Sequence, residues 1–119
     1  MHTAIGSYVH GDDLNKRKGG CQVILAAETD FSIRTDSFIE FCDFTARMCY
    51  AVIKSIPEEV IFEDVEEDEA FYGVCFSWVE LTEQYHYAEE LVDKILEKKY
   101  EIEKNLGEDI DILDITCII

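Results

Sequence analysis

Residues 23–38 read VILAAETDFSIRTDSF, and this stretch decides the fold because a β-type apolar run changes there into the start of a helix. The run ends at Ala27, and polar residues follow it, as is typical where a strand leaves the core. Three of the next residues compete as the helix N-cap: Thr35, Asp36 and Ser37. Phe31 stands between strand and helix among polar neighbours, and a simple connection does not explain it.

The helix after this stretch has a wide apolar stripe, which predicts that it lies on the core. Ser37 and Glu40 have the spacing of a capping box at its start, and Pro57 ends it. The stripe recurs every three or four residues and consists of Phe38, Phe41, Cys42, Thr45, Met48, Cys49, Val52 and Ile56. A later helix with a similar stripe is predicted over residues 88–106, and Gly107 closes it.

Strands are predicted near both ends of the sequence. Short β-type runs at residues 4–9 and 22–27 are joined by a glycine-containing basic loop, which is typical of a hairpin. Residues 109–119, DIDILDITCII, indicate a last strand. The apolar alternation of this strand shifts between Ile112 and Leu113, which predicts a β-bulge or burial on both faces.

The middle of the sequence is the least regular part. Residues 60–62 predict a short edge strand, and the acidic run at 63–69 predicts a solvated helix N-terminus. The segment 70–85 predicts a helix, although Gly73 and the density of aromatic residues would also suit a strand. Helical spacing in this segment is shown by Phe71, Val74, Trp78, Leu81 and Tyr85.

Together these elements predict a single α+β domain over residues 1–119. Its order is β-β-α-α-α-β, with a small antiparallel three-stranded sheet and helices packed on one face. At 119 residues the chain is long enough for one hydrophobic core and short for two domains.

The charge of the chain indicates either a protein partner or a solvated acidic surface that only keeps the protein in solution. It has 27 acidic and 10 basic residues, a formal net charge of −17. Such a chain repels nucleic acid and anionic membranes and is attracted to basic or mixed-charge protein surfaces. We therefore expect no nucleic acid and no membrane among its partners.

The five cysteines form no CxxC pair and lie among apolar residues, which favours reduced, buried thiols. There is no signal-peptide pattern and no apolar run of membrane-spanning length, so we expect a cytoplasmic protein. Nucleotide-binding glycine loops and activated nucleophiles are also missing from the sequence. His86 has helical metal-ligand spacing to Glu89 and Glu90, but without a second histidine nearby this favours a surface pair. These observations predict a protein that is not an enzyme and uses no cofactor and no metal.

Three segments together resemble the N-terminal core subdomain of translation elongation factor Ts. They are IGSYVHG at residues 5–11, VILAAETDFSIRTDSF at 23–38 and EKNLGEDIDILDI at 103–115. The family subdomain has a GSYIH-type strand, a second strand that ends in ETDFVAR, a capped helix, and KIGENI before a last strand. The resemblance implies the same fold and a protein partner, the GTPase elongation factor Tu.

In that family the phenylalanine of TDF inserts near the magnesium and phosphate site of the GTPase and helps to eject GDP. The resemblance implies that Phe31 is the wedge, that Thr29 and Asp30 are adjacent contacts, and that Glu28 orients the strand end. Ser32 stands where the family has a valine. The implied partner-binding residues are Glu28, Thr29, Asp30, Phe31, Ser32 and Arg34.

Other interpretations remain open on the sequence alone. Phe31 could pack back on the helix start as a hydrophobic staple. The chain could also be a non-catalytic acidic interaction module, which either captures a partner or imitates nucleic acid and occupies a basic site. Because the resemblance covers one core subdomain only, we also consider a homodimer in which a second copy pairs with an exposed sheet edge.

Overall fold

The computed structural model of this protein describes residues 1–11, 17–61 and 73–118. The strands within these ranges are β1 (His2–Gly11), β2 (Arg17–Ala27), β3 (Gly73–Ser77) and β4 (Ile110–Ile118). The α-helices within them are α1 (Asp30–Ile33), α2 (Asp36–Ser55), α3 (Glu58–Ile61), α4 (Trp78–Thr82) and α5 (Glu89–Leu106). A 3-10 turn (Tyr85–Tyr87) precedes α5.

The strands form one antiparallel sheet in the order β1-β2-β4-β3. The predicted α+β class is confirmed. The predicted order β-β-α-α-α-β with three strands is wrong, because β3 adds a fourth strand and α1 and α3 are additional short helices. In β3, Val74 is buried and faces Cys117 of β4, whereas Cys75 is exposed. The strand has only five residues, so its alternating pattern is short. The helical spacing of the apolar residues in the longer segment 70–85 is the stronger signal in the sequence.

The segment 70–85 is therefore mostly misassigned by the sequence pattern. Where it is described, it contains β3 and then α4, a short helix rather than the long one predicted. Ser77 ends the strand and begins the helix, since its hydroxyl accepts from the backbone N–H of Glu80 at 3.1 Å. The side chain of Glu80 in turn accepts from the backbone of Ser77, which completes a capping box.

The short edge strand predicted at residues 60–62 is also wrong in its described part. Val60 and Ile61 belong to α3, and both of their backbone N–H groups donate to the carbonyl of Pro57, at 2.9 and 3.2 Å. Proline favours the first turn of a helix, which explains the difference. Phe62 and the acidic run at 63–69 lie outside the described residues.

The predicted main helix is confirmed, and its N-cap is now assigned. Thr35 caps α2, because its hydroxyl oxygen accepts from the backbone N–H of Phe38 at 3.3 Å. Ser37 lies inside the first turn, so the capping box that we predicted between Ser37 and Glu40 is wrong. At the far end, Ile56 follows the last helical residue and precedes Pro57.

The predicted end of α5 and the predicted bulge are both confirmed. Gly107 follows α5 with a φ of 74°, in the left-handed region that glycine adopts readily. In β4, Ile112 pairs with Leu25 and Ile115 pairs with Val23, so two residues of β4 lie opposite one residue of β2. This bulge restores the alternation that places Ile110, Ile112 and Ile115 in the core, while Ile118 is exposed.

The core lies between the sheet and α2. The helix α2 packs against β1, β2 and β4, and α5 packs against α2. The helix comes very close to the sheet at Gly6 of β1, where an added Cβ atom would overlap the backbone of Cys42. On the opposite face of β1, Ile5 and Val9 are 66% and 58% exposed, so the main helices cover one face of the sheet. None of the described helices is both long and apolar enough to span a membrane.

The cysteines give a direct test of this packing. Four thiols are buried and Cys75 is exposed. Burial, with the nearby charge of Asp43, raises the pKa of Cys42 to about 12, and burial raises the pKa of Cys49 as well. Because the thiolate is the reactive form, we expect Cys75 alone to react quickly with a chromogenic disulfide reagent in the native protein. The other four should react only in denaturant, and a second fast thiol would contradict the structure.

Candidate functional site

The candidate site lies at one end of the sheet. Ala27 ends β2 there and pairs with His2 of β1 and with Ile110 of β4. The chain then leaves the sheet and forms α1, a single helical turn that carries Phe31. The predicted partner-binding residues 28–32 and 34 therefore lie in and around one turn, beside the first residues of two strands.

Thr29 organises this turn. Its backbone is extended, with φ −118° and ψ 150°, and its hydroxyl oxygen accepts from the backbone N–H of Ser32 at 3.2 Å. Thr29 is thus the N-cap of α1. Ser32 is only 1% exposed, and its carbonyl accepts from the hydroxyl of Thr35 at 2.8 Å, which ties α1 to the start of α2. Of the six predicted residues, Ser32 therefore supports the turn from inside and does not face a partner.

Phe31 points away from the protein. Its side chain is 78% exposed, and it lies four residues before the Thr35 N-cap of α2. A staple residue directly precedes the N-cap and packs against the first turns of the helix. Neither its position nor its exposure fits the staple interpretation.

Asp30 and Arg34 flank Phe31 and are paired with each other. The guanidinium of Arg34 lies 2.9 Å from the carboxylate of Asp30, and the two side chains are 76% and 49% exposed, respectively. An exposed pair of this kind adds little to stability. Its main effect here is that part of the charge of Asp30 is balanced within the turn.

Sequence reasoning missed Glu108, which follows Gly107 in the loop between α5 and β4. One oxygen of its carboxylate, Oε1, accepts from the backbone N–H of Thr29 at 3.0 Å. The other, Oε2, accepts from the hydroxyl of Thr29 at 2.9 Å. Glu108 lay within a segment that carries the family resemblance, but no pattern in the sequence assigned it a contact 79 positions away.

The hydrogen bonds at Glu108 also set its protonation. Desolvation alone would raise its pKa, but hydrogen bonds from the backbone and hydroxyl of Thr29, the hydroxyl of Ser32 and the backbone of Glu28 together lower the pKa below its usual value. Since the folded-state pKa is lowered, the stabilisation is present above the unfolded pKa and is lost as the pH falls through the folded one. At neutral pH the site therefore contains a carboxylate.

Carboxylates are frequent on the turn that carries Phe31 and in the loop that contacts this turn. Exposed or partly exposed carboxylates are contributed by Glu28, Asp30, Glu108 and Asp109. We call this set the acidic rim. A partner surface that accepts Phe31 would therefore meet negative charge around an apolar side chain.

No metal centre is indicated in the described ranges, where no group of three or more histidine, cysteine, aspartate or glutamate side chains is placed to hold an ion.

The strand β1 is one edge of the sheet, where a second copy could pair in the homodimer that we considered. The backbone N–H of Ser7 donates to the carboxylate of Asp43 in α2 at 3.1 Å. A second copy that paired with β1 at this position would have to displace that hydrogen bond. The homodimer stays a prediction.

The comparisons with known proteins leave the family of this chain undetermined. No family model, no curated protein and no solved structure matches it.

Proposed function

We propose that this protein binds elongation factor Tu and promotes release of GDP by inserting Phe31 beside the nucleotide site. The observation that carries the proposal is a phenylalanine that is 78% exposed on a turn held at both ends by hydrogen bonds. An apolar ring in such a position gains little from its own core. It is presented in a way that suits burial in the pocket of another protein.

The size of the expected effect follows from the burial of one ring. Transfer of a phenylalanine side chain from water to an apolar site yields about 1.5–3 kcal/mol. A tenfold change in affinity takes about 1.4 kcal/mol. If this free energy is available only in the nucleotide-free GTPase, Phe31 weakens GDP binding by about one to two orders of magnitude. By linkage, GDP weakens binding of this protein by the same factor.

The acidic rim indicates how the partner is recognised. Carboxylates around an anchor residue favour a partner with basic groups around an apolar pocket, and they raise the rate of encounter. The formal charge of −17 adds a long-range attraction to any basic surface. Charge therefore supports association, and Phe31 supports the effect on the nucleotide.

If charge drives association, the affinity for elongation factor Tu should depend on the salt concentration. We expect the affinity for elongation factor Tu to fall about tenfold between low and high salt, mainly through a slower association rate. The measurement is the pair of association and dissociation rates by surface-based binding at several salt concentrations. The double variant Glu28→Gln/Asp30→Asn should show a shallower dependence, while Glu83→Gln/Glu90→Gln, which removes two exposed charges outside the rim, should follow the wild type more closely. Equal slopes for all three would contradict a role of the rim.

The function itself is tested by release of a fluorescent GDP analogue from elongation factor Tu, with unlabelled GDP in excess. We expect the release rate to rise with the concentration of this protein and then to saturate. Binding without acceleration would replace exchange by simple capture of the GTPase. Absence of binding would overturn the proposal and favour the interpretation as a nucleic-acid mimic, which is then tested with basic proteins.

A further inference from the structure

We propose that Glu108 is a positioning residue: it holds the turn that carries Phe31 in the conformation presented to the partner. This inference rests on the proposed function as far as the partner is concerned, but the holding contact is a property of the free protein. It extends the candidate site from residues 28–34 to a loop that lies beyond α5 in the chain.

The contact fixes Thr29 in two ways at once. Oε1 of Glu108 binds the backbone N–H of Thr29 at 3.0 Å, and Oε2 binds its hydroxyl at 2.9 Å. The first bond restrains the backbone where the chain leaves β2, and the second restrains the side chain that caps α1. Hydrogen bonds to an ionised carboxylate are stronger than those between neutral groups. One side chain therefore fixes both the entry and the cap of the turn.

Glu108 is itself held in place. The N–H of Gly107 donates to the carbonyl of Glu103 at 2.8 Å, and Gly107 ends α5 with a left-handed φ of 74° before the chain enters β4. On the other side of Glu108, the N–H of Ile110 donates to the carboxylate of Glu103 at 2.9 Å. That carboxylate also pairs with Lys99 at 3.2 Å. The loop is thus anchored before and after Glu108.

The turn needs such an anchor because α1 has only four residues. A helix of this length has no appreciable stability of its own. Ser32 is the buried residue of α1, and Phe31 contributes little to the core because its side chain is 78% exposed. Loss of the Glu108 contact should therefore release the turn without unfolding the domain.

The first test uses the full chain without a partner. In Glu108→Ala we expect hydrogen exchange at the amide of Thr29 and chymotrypsin cleavage after Phe31 to become at least about tenfold faster, because both bonds to a charged acceptor are lost. The matched control is Asp109→Ala, which removes the same charge from the next position in the loop. The milder variant Glu108→Gln keeps the size and one acceptor oxygen and should give an intermediate result. If the Thr29 amide exchanges equally fast in the Glu108 and Asp109 variants, the inference is wrong.

The second test asks whether the contact acts through Phe31. Because Glu108 and Asp109 both belong to the acidic rim, Asp109→Ala is the reference for the loss of one rim charge. We expect Glu108→Ala to slow GDP release from elongation factor Tu more than Asp109→Ala does, and we expect this excess to disappear when each change is combined with Phe31→Ala. An excess that persists without the Phe31 ring would overturn the positioning role. If the wild-type protein does not affect elongation factor Tu at all, the proposed function fails, while the exchange and cleavage measurements still decide whether Glu108 holds the turn.

Discussion

Replacement of Gly6 by alanine is expected to destabilise the folded state by about 3 kcal/mol or more, which is a large share of the stability of a small domain. A Cβ atom at this position would overlap the carbonyl carbon and oxygen of Cys42 and lie 2.9 Å from its Cα. These are backbone atoms in the middle of α2, so no side-chain rotation can relieve the overlap. The helix would have to move away from β1 and would lose its packing there.

Urea unfolding followed by circular dichroism measures this effect. Gly107→Ala is the matched control, because a Cβ atom at Gly107 meets nothing within 4 Å, although its φ is 74°. That variant should lose about 1 kcal/mol, from backbone conformation alone. Similar losses for the two variants would show that α2 does not approach β1 as closely as described. Gly6 also belongs to the motif IGSYVHG, so the close approach supplies a physical reason for glycine at that position.

Replacement of Phe31 by alanine is expected to slow GDP release from elongation factor Tu by about ten- to a hundredfold at a fixed concentration of this protein. Because the side chain is 78% exposed, the free energy of unfolding should change by less than about 0.5 kcal/mol. The reason for the first effect is the loss of the ring that the partner would bury. The reason for the second is that the ring packs against little in the free protein.

The release assay with fluorescent GDP, combined with urea unfolding of the same preparations, tests both parts. Val79→Ala is a suitable control, since Val79 is also largely exposed, at 66%, but lies in α4. Full activity of Phe31→Ala would remove the wedge from the proposal even if binding remained. A large loss of stability in Phe31→Ala would show that the ring packs against its own domain after all.

Much of the fold could be predicted because its main elements carry long, regular patterns. The apolar stripe of α2 extends over most of 20 residues, and Gly107 marks the end of α5. The shift between Ile112 and Leu113 predicted either a bulge in β4 or burial on both faces, and the structure shows the bulge. By contrast, β3 has five residues and offers two alternations at most. In so short a segment, pairing with β4 determines that a strand forms. Because β4 is distant in the sequence, this pairing cannot be predicted from the residues of β3 alone.

The site was predictable only in part, for a related reason. The resemblance supplied residues 28–32 and 34, but the turn α1 and its cap at Thr29 were not predicted, because the sequence pattern placed the helix start at residues 35–37. Glu108 could not be found in this way, since its contact spans 79 positions. It is also one of 27 acidic residues, and nothing in the composition distinguishes it from those that face solvent. The burial of Ser32 could not be predicted from the sequence either, because serine is usually exposed.

Because β4 lies between β2 and β3, the sheet cannot be completed during synthesis until β4 has emerged. During synthesis the hairpin of β1 and β2 emerges early and can pair by itself, but β3 emerges before its partner strand exists. Glu108 also emerges long after Thr29. The turn that carries Phe31 is therefore synthesised before the contact that holds it, and the final position of Phe31 is reached only when β4 completes the sheet.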